Sequence, residues 1–249
     1  MCAAAQASHI ASCLSVADIL AVLYADVLRY DPLIPHWPDR DRLILSKGHA
    51  AAALYAVLAE CGFFPPQLLA SYCQDESALT GHVSHAVPGV EVSTGSLGHG
   101  LAIGCGIALA ALRDRRPSRV FVVLSDGELD EGSTWEAALL AGHHRLHPLT
   151  AIIDYNKIQS FGAVAEVLNL EPLAEKWRSF GWHVREVDGH DPGALTQALQ
   201  PQNTSDLPTC VIAHTIKGRG VSFMEGQLAW HYRSPSPEQL TAALAELER

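Results

Sequence analysis

Arg119-Val120-Phe121-Val122-Val123-Leu124 is a β-rich run, polar only at its first residue, and it stops in Ser125-Asp126-Gly127-Glu128. Apolar side chains on both alternating faces suit a strand covered on both sides of a parallel sheet. A helix is expected from Ser133 to about Leu146, followed by a second such run, Leu149-Thr150-Ala151-Ile152-Ile153, ending in Asp154-Tyr155-Asn156. Strand, helix and strand in this order make a right-handed crossover, which brings the C-terminal ends of both strands to one edge of the sheet. Two further runs read as strands, His183–Val187 and Thr209–Ala213, and a helix from Leu173 to Phe180 precedes the first of them. The expected architecture is α/β, an open, mostly parallel sheet with helices on both faces.

Working outward, Val16–Tyr24 carries apolar residues at helical spacing and reads as a buried helix. Arg42-Leu43-Ile44-Leu45 is a short apolar run that stops at Ser46-Lys47-Gly48-His49, and an Ala- and Leu-rich helix follows to Cys61, closed by Gly62. A small-residue helix is expected from about Gly100 to Arg113, and a last short one from Glu238 to Glu248. Across the 249 residues, 48% are hydrophobic and 18% charged, which provides a core and excludes disorder. Seventeen Lys and Arg against 27 Asp and Glu give a net charge of −10, and no basic run exists to meet nucleic-acid phosphates. No stretch approaches the roughly 20 unbroken apolar residues of a membrane span, and the first residues lack the pattern of a signal peptide. A cytoplasmic location is expected. The six cysteines form no C-x-x-C pair and read as small buried hydrophobes.

Ligands of open parallel sheets bind beyond the strand C-termini. Asp126 and Asn156 stand there, about 30 residues apart, the length of one crossover unit. A carboxylate and an amide oxygen are hard ligands suited to Mg²⁺ or Ca²⁺ and not to zinc. Turn capping is the plainer role for both residues, and the pair alone leaves the two readings open. Gly95-Ser96-Leu97-Gly98-His99-Gly100 does not have the spacing of a dinucleotide fingerprint. Its glycines serve either an anion at a helix start or close helix packing.

Taken together, these segments resemble the N-terminal half of transketolase, and most of all the N-terminal subunit of split, two-gene transketolases. The resemblance runs from about Ser8 to His231. It is carried by Leu45-Ser46-Lys47-Gly48-His49-Ala50, Gly81-His82, Pro88 to Gly100, Ser125 to Ala137, Asp154 to Gln159, Thr215 to Glu225 and Trp230-His231. It implies a thiamine diphosphate enzyme, with residues 1–249 as a single diphosphate-binding domain and a short C-terminal helical tail. Asp126, Asn156 and the Ile158 carbonyl are implied to hold Mg²⁺, with Ca²⁺ or Mn²⁺ as substitutes. Gly127 and Glu128 are implied to present backbone to the diphosphate, and Leu97, between Ser96 and Gly98, to pack on the aminopyrimidine. Glu131 matches a carboxylate that reaches across a dimer. His9, His49, His82 and His231 match the family's site histidines, which contact donor hydroxyls, the diphosphate or both. His143 is a weaker candidate, and His99 and His144 are intermediate. His36, His85, His147, His183, His190 and His214 have no motif support.

Three departures from the family pattern bear on the site. Ser125 stands where a glycine is usual, and its side chain either crowds the diphosphate or fixes a different turn. His9-Ile10-Ala11-Ser12 lacks two glycines, and Gly81-His82 is followed by Val83 where proline is usual. With eight residues before His9, a shortened first helix is expected.

The resemblance covers only the diphosphate-binding half. It implies a separate C-terminal transketolase subunit carrying the pyrimidine-binding domain, a dimer of heterodimers, and sugar phosphate substrates between which a two-carbon ketol unit moves. Alternatives are a transketolase-like synthase of specialised sugar metabolism and a non-catalytic pseudo-subunit. Retention of Asp126, Asn156, Gly127 and Glu131 argues against the latter. A simple Mg²⁺ phosphohydrolase is disfavoured because no further carboxylates cluster with Asp126.

Overall fold

The computed structural model describes residues 1–201 and 206–248. Its strands are β1 (Arg42–Leu45), β2 (Val120–Ser125), β3 (Leu149–Tyr155), β4 (His183–Asp188) and β5 (Thr209–His214), all parallel in the order β1-β2-β3-β5-β4. Its helices are α1 (Cys2–Ala5), α2 (Ile10–Val22), α3 (Ala51–Glu60), α4 (Gly100–Arg113), α5 (Gly132–His143), α6 (Val164–Val167), α7 (Leu173–Ser179), α8 (Pro192–Leu199) and α9 (Pro237–Leu247).

Because strand side chains alternate, β2 feeds two cores at once. Phe121 and Val123 join Ile152, Val211 and Ala213 under α2, α3 and α8, whereas Val120, Val122 and Leu124 join Ile153 and Ile212 under α4, α5 and α7. The expected α/β fold with helices on both faces is the one observed. α5 is the crossover from β2 to β3, and α8 links edge strand β4 to β5. Asp191 accepts bonds from the amides of Gly193 and Ala194 (2.9 and 3.0 Å), and Pro192 takes the first turn, so the start of α8 is capped by its own sequence. α9 begins on a Ser236–Gln239 capping box.

Several element boundaries differ from expectation. Arg42–Leu45 is a full member of the sheet, paired with Val120–Val123. Four residues are too few for periodicity to announce a strand. The helix after Ser46-Lys47 starts with a 3₁₀ turn, Gly48–Ala50, and α5 stops at His143, where Arg145 turns to φ 49°. α2 starts at Ile10, six residues before the apolar run that announced it, and continues as a π-helical turn over Leu23–Val27. By length and composition alone, Ile10–Val27 qualifies as long and apolar enough to cross a membrane. Within the fold it is a core helix, with Val16, Ile19 and Leu23 wholly buried.

Candidate functional site

Parallel strands place all their C-terminal ends on one edge, and a cleft of about 420 Å³ opens there. Asp126 follows β2 and Asn156 follows β3. His49 lies in the 3₁₀ turn after β1, and Lys217 lies in the loop after β5. His9 caps the start of α2 in a left-handed conformation (φ 71°), and His231 sits in a 3₁₀ turn whose carbonyl accepts from the His9 amide (2.9 Å). His82 comes from the loop before α4, fixed by Tyr55, whose hydroxyl donates to the His82 carbonyl (2.9 Å).

The four motif histidines converge. The His9 ring lies 5.1 Å from His49, 6.0 Å from His82 and 5.0 Å from His231, centroid to centroid. Burial and the nearby charge of His82, Lys217 and Lys47 lower the pKa of His9 to about 4. Burial and Lys217 lower that of His231 to about 3. Burial and Lys47 hold His49 well below the usual range. Each is a neutral imidazole at pH 7. Lys217 Nζ can only donate, so the His231 Nδ1 at 2.8 Å is an acceptor and the ring proton sits on Nε2. His49 Nε2 pairs with Ser12 Oγ at 2.9 Å, while His9 Nδ1 is buried without a partner.

At the expected metal pair, Asp126 Oδ2 accepts from the Lys157 amide (2.6 Å), Asn156 Oδ1 from the Ile158 amide (3.1 Å), and the Ile158 carbonyl from Lys217 Nζ (2.8 Å). Burial, then the charge of Asp154, raises the pKa of Asp126 to about 6. Burial, then Lys47, lowers that of Lys217 to about 8. Beneath this pair lies a wholly buried ion pair, Lys47–Asp154, in which Asp154 also accepts from Ser15 Oγ (2.6 Å) and Thr215 Oγ1.

Asp126, Asn156 and the Ile158 carbonyl form an all-oxygen set of the kind that suits Mg²⁺. Among the described residues, no group of three His, Cys, Asp or Glu side chains is placed to hold a metal. An ion here would therefore rest on one carboxylate, neutral oxygens and oxygens brought by a ligand. The Gln159 amide nitrogen and His9 Nδ1 are both buried, lack hydrogen-bond partners and belong to residues lining the cleft, whose volume is in the range of ligand sites. The residues fit a magnesium-bound diphosphate.

The structure brings most, but not all, of the expected site residues to the cleft. His9, His49, His82, Leu97, Asp126, Gly127, Glu131, Asn156, Ile158 and His231 all line the cleft. Ser96, Gly98 and Glu128 do not: Ser96 faces outward, while Gly98 and the fully buried Glu128 lie beneath the wall. The amides expected to face a diphosphate are already engaged, Gly127 N–H by Asp126 Oδ1 (2.8 Å) and Glu128 N–H by Ser125 Oγ (3.2 Å). Ser125 thus fixes a turn. Val83 is core, and Ser12 is the hydroxyl that meets His49. His143 and His144 pack on each other (4.9 Å) outside the lining, and His99, also outside it, precedes α4. His190 is held by Asp18 (2.7 Å) and the Ile216 amide.

Ser12, Gln159, Lys217 and Tyr232 line the cleft without having been singled out from the sequence, and Lys47 and Asp154 lie under it. Lys47 and Lys217 each follow a strand end closely. A lysine at that edge of a parallel sheet was the available signal.

The family described as "Transketolase, thiamine diphosphate binding domain" matches residues 1–243. The 6-deoxy-6-sulfo-D-fructose transketolase subunit of Clostridium sp. (strain MSTE9) is 44% identical over 97% of this chain and 88% of its own length. An apulose-4-phosphate transketolase subunit from Actinobacillus succinogenes is 42% identical over 96% and 87%. Among solved structures, transketolase from Campylobacter jejuni superposes with a TM-score of 0.93 at 31% identity. That match covers 99% of this chain, which spans 40% of the longer protein.

Proposed function

The chain belongs to the transketolase family, as its thiamine diphosphate-binding domain, and from that premise we propose that it is the N-terminal subunit of a split transketolase. It transfers a two-carbon ketol unit from a ketose phosphate donor to an aldose phosphate acceptor. Partnered by a C-terminal subunit carrying the pyrimidine-binding domain, it works as a single diphosphate-binding domain in a dimer of heterodimers in the cytoplasm. Two relatives named as transketolase subunits and matched over most of their length support this reading. The observation that carries it is the convergence of four histidines on one cleft with Asp126, Asn156 and the Ile158 carbonyl at its floor.

When bound, thiamine diphosphate supplies the electron sink for breaking and making the ketose carbon–carbon bond. Asp126, Asn156 and the Ile158 carbonyl would hold Mg²⁺, a hard cation that would offset the charge of the diphosphate. The Lys217 ammonium adds a positive charge beside that floor. Leu97 offers an apolar wall for the cofactor ring. His231 donates through Nε2–H, and His9, neutral with its Nδ1 unpaired, takes the proton of a donor hydroxyl and later returns it. Glu131, on the rim with its side chain exposed, extends toward the neighbouring subunit.

Purified chain with thiamine diphosphate and Mg²⁺ is expected to show no ketol transfer, and addition of the C-terminal subunit is expected to restore it. The donor screen includes xylulose 5-phosphate, 6-deoxy-6-sulfo-D-fructose and apulose 4-phosphate. Turnover by the chain alone overturns the dependence on a partner. An assembled complex without Mg²⁺-dependent cofactor binding overturns the enzyme reading in favour of a scaffold.

A further inference from the structure

The Glu128 carboxylate is completely buried at a junction of three elements. Its Oε1 accepts from Ser46 Oγ, just past β1, and from the Gly98 amide (2.9 Å), while Oε2 faces the Ser125 amide at the end of β2 (3.4 Å). Ser46 Oγ in turn accepts from the Gly100 amide (3.1 Å), so one carboxylate and one hydroxyl anchor both ends of the Gly98-His99-Gly100 turn. From the other side, Ser133 Oγ donates to the Gly98 carbonyl (2.8 Å).

The geometry leaves the loop no slack. Gly98 has φ +83°, and a Cβ there would lie 2.5 Å from Ser133 Oγ and 2.7 Å from Glu131 Cβ. A Cβ on Gly100 would lie 2.1 Å from Ser46 Oγ. The Gly98 N–H belongs to the Leu97–Gly98 peptide plane, so the bond from Glu128 sets the orientation in which Leu97 leaves that plane toward the cleft. A buried carboxylate is tolerated only when donors replace its water, and here they come from the parts that must be aligned.

We infer that Glu128 is a positioning residue: it touches no ligand itself and holds Leu97 on the cofactor wall by pinning the Gly98 amide to the ends of β1 and β2. This rests on the reading that the cleft takes thiamine diphosphate.

The test has two arms, hydrogen exchange of the full chain without cofactor and thiamine diphosphate affinity of the complex assembled with its C-terminal subunit. Glu128→Ala is expected to speed exchange of the amides of residues 97–100 at least 10-fold, leaving β2 and β3 protected, and to raise the cofactor dissociation constant at least 10-fold. Glu128→Gln keeps an acceptor for the Gly98 amide and is expected to stay within 3-fold of wild type in both arms. Ser46→Ala, which keeps the carboxylate, is expected to speed exchange at Gly100 and serves if Glu128→Ala does not fold. The inference is overturned if a folded Glu128→Ala variant keeps wild-type exchange or wild-type affinity, if Glu128→Gln falls as far as Ala, or if Ser46→Ala leaves Gly100 exchange unchanged. Wild-type complex that binds no cofactor overturns the functional reading, and is recognised by that arm failing while the exchange pattern stands.

Discussion

Breaking the buried pair under the site should cost the fold more than any surface ion pair and should cost unequally from its two ends. The side chains of Lys47 and Asp154 have no solvent exposure. Removing one member of such a pair leaves an uncompensated charge in the interior, typically at about 3–5 kcal/mol. In Lys47→Met the carboxylate keeps two hydroxyl donors, Ser15 at 2.6 Å and Thr215, so the loss should be about 3 kcal/mol. In Asp154→Asn the ammonium keeps only the Ser12 carbonyl at 3.3 Å and a weakened amide contact, so the loss should reach about 4–5 kcal/mol. The double variant Lys47→Met, Asp154→Leu carries no buried charge and should lie within about 2 kcal/mol of wild type. The assay is urea unfolding at pH 7.5, followed by the fluorescence of the five tryptophans, of which Trp177 is fully buried on the opposite face of the sheet, and by circular dichroism as a second probe. Single variants losing less than about 1 kcal/mol, or a double variant losing the sum of the singles, would refute the reasoning.

Other outcomes follow from particular groups. His9 and His231, with pKa values near 4 and 3, stay neutral in the fold while the unfolded chain takes up their protons below about pH 6.5, so both remove stability as pH falls from there toward 4. Asp126 acts in the opposite sense, because its raised pKa lets the folded chain take up a proton first. The histidines are therefore best read by their own NMR titrations, and an inflection between pH 6 and 7 for either refutes their assignment as buried neutral groups. Gly142→Ala would put a Cβ 1.8 Å from the Phe180 carbonyl oxygen and should lower stability by more than about 3 kcal/mol in urea titrations. Gly106→Ala, in the same assay, meets nothing within 4 Å and should raise stability by about 0.5–1 kcal/mol. Asp126→Asn should abolish the Mg²⁺-dependent rise in melting temperature that thiamine diphosphate gives the assembled complex, and EDTA should do the same to wild type. A rise that survives in Asp126→Asn removes Asp126 from the ligand set, and one that survives EDTA in wild type refutes the metal dependence.

How much was legible depended on whether the signal lay along the chain or across it. β2 and β3 announced themselves because nearly every residue is apolar, and their ends because Ser125-Asp126 and Asn156 break the run. β1 has the same character over too few residues. The motif histidines are scattered over more than 200 positions, so their convergence was readable only through the family resemblance, and His9 needs a left-handed backbone that sequence does not display. Glu128 shows the converse limit. It follows Asp126-Gly127 directly, but a tight turn sends its side chain down into the core and leaves its amide with Ser125. Ser12 and Lys217 stood in plain view, but nothing along the chain says which way a side chain points.

The sheet topology accounts for the site better than any one motif does. Strands covered by helices on both faces need apolar side chains on both, so polar residues collect where those strands end: Ser46-Lys47 after β1, Ser125-Asp126 at the end of β2, Asn156 after β3, and Thr215 and Lys217 after β5. In an antiparallel sheet such ends would alternate between opposite edges. In this parallel one they all arrive at the same edge, where α2 adds His9 and Ser12. Asp154 is the exception, a carboxylate inside β3, and it is the residue whose charge needs Lys47, Ser15 and Thr215 together. It ties α2, β1, β3 and the segment after β5 to one point, so the charge that burdens the core also registers the elements that carry the site.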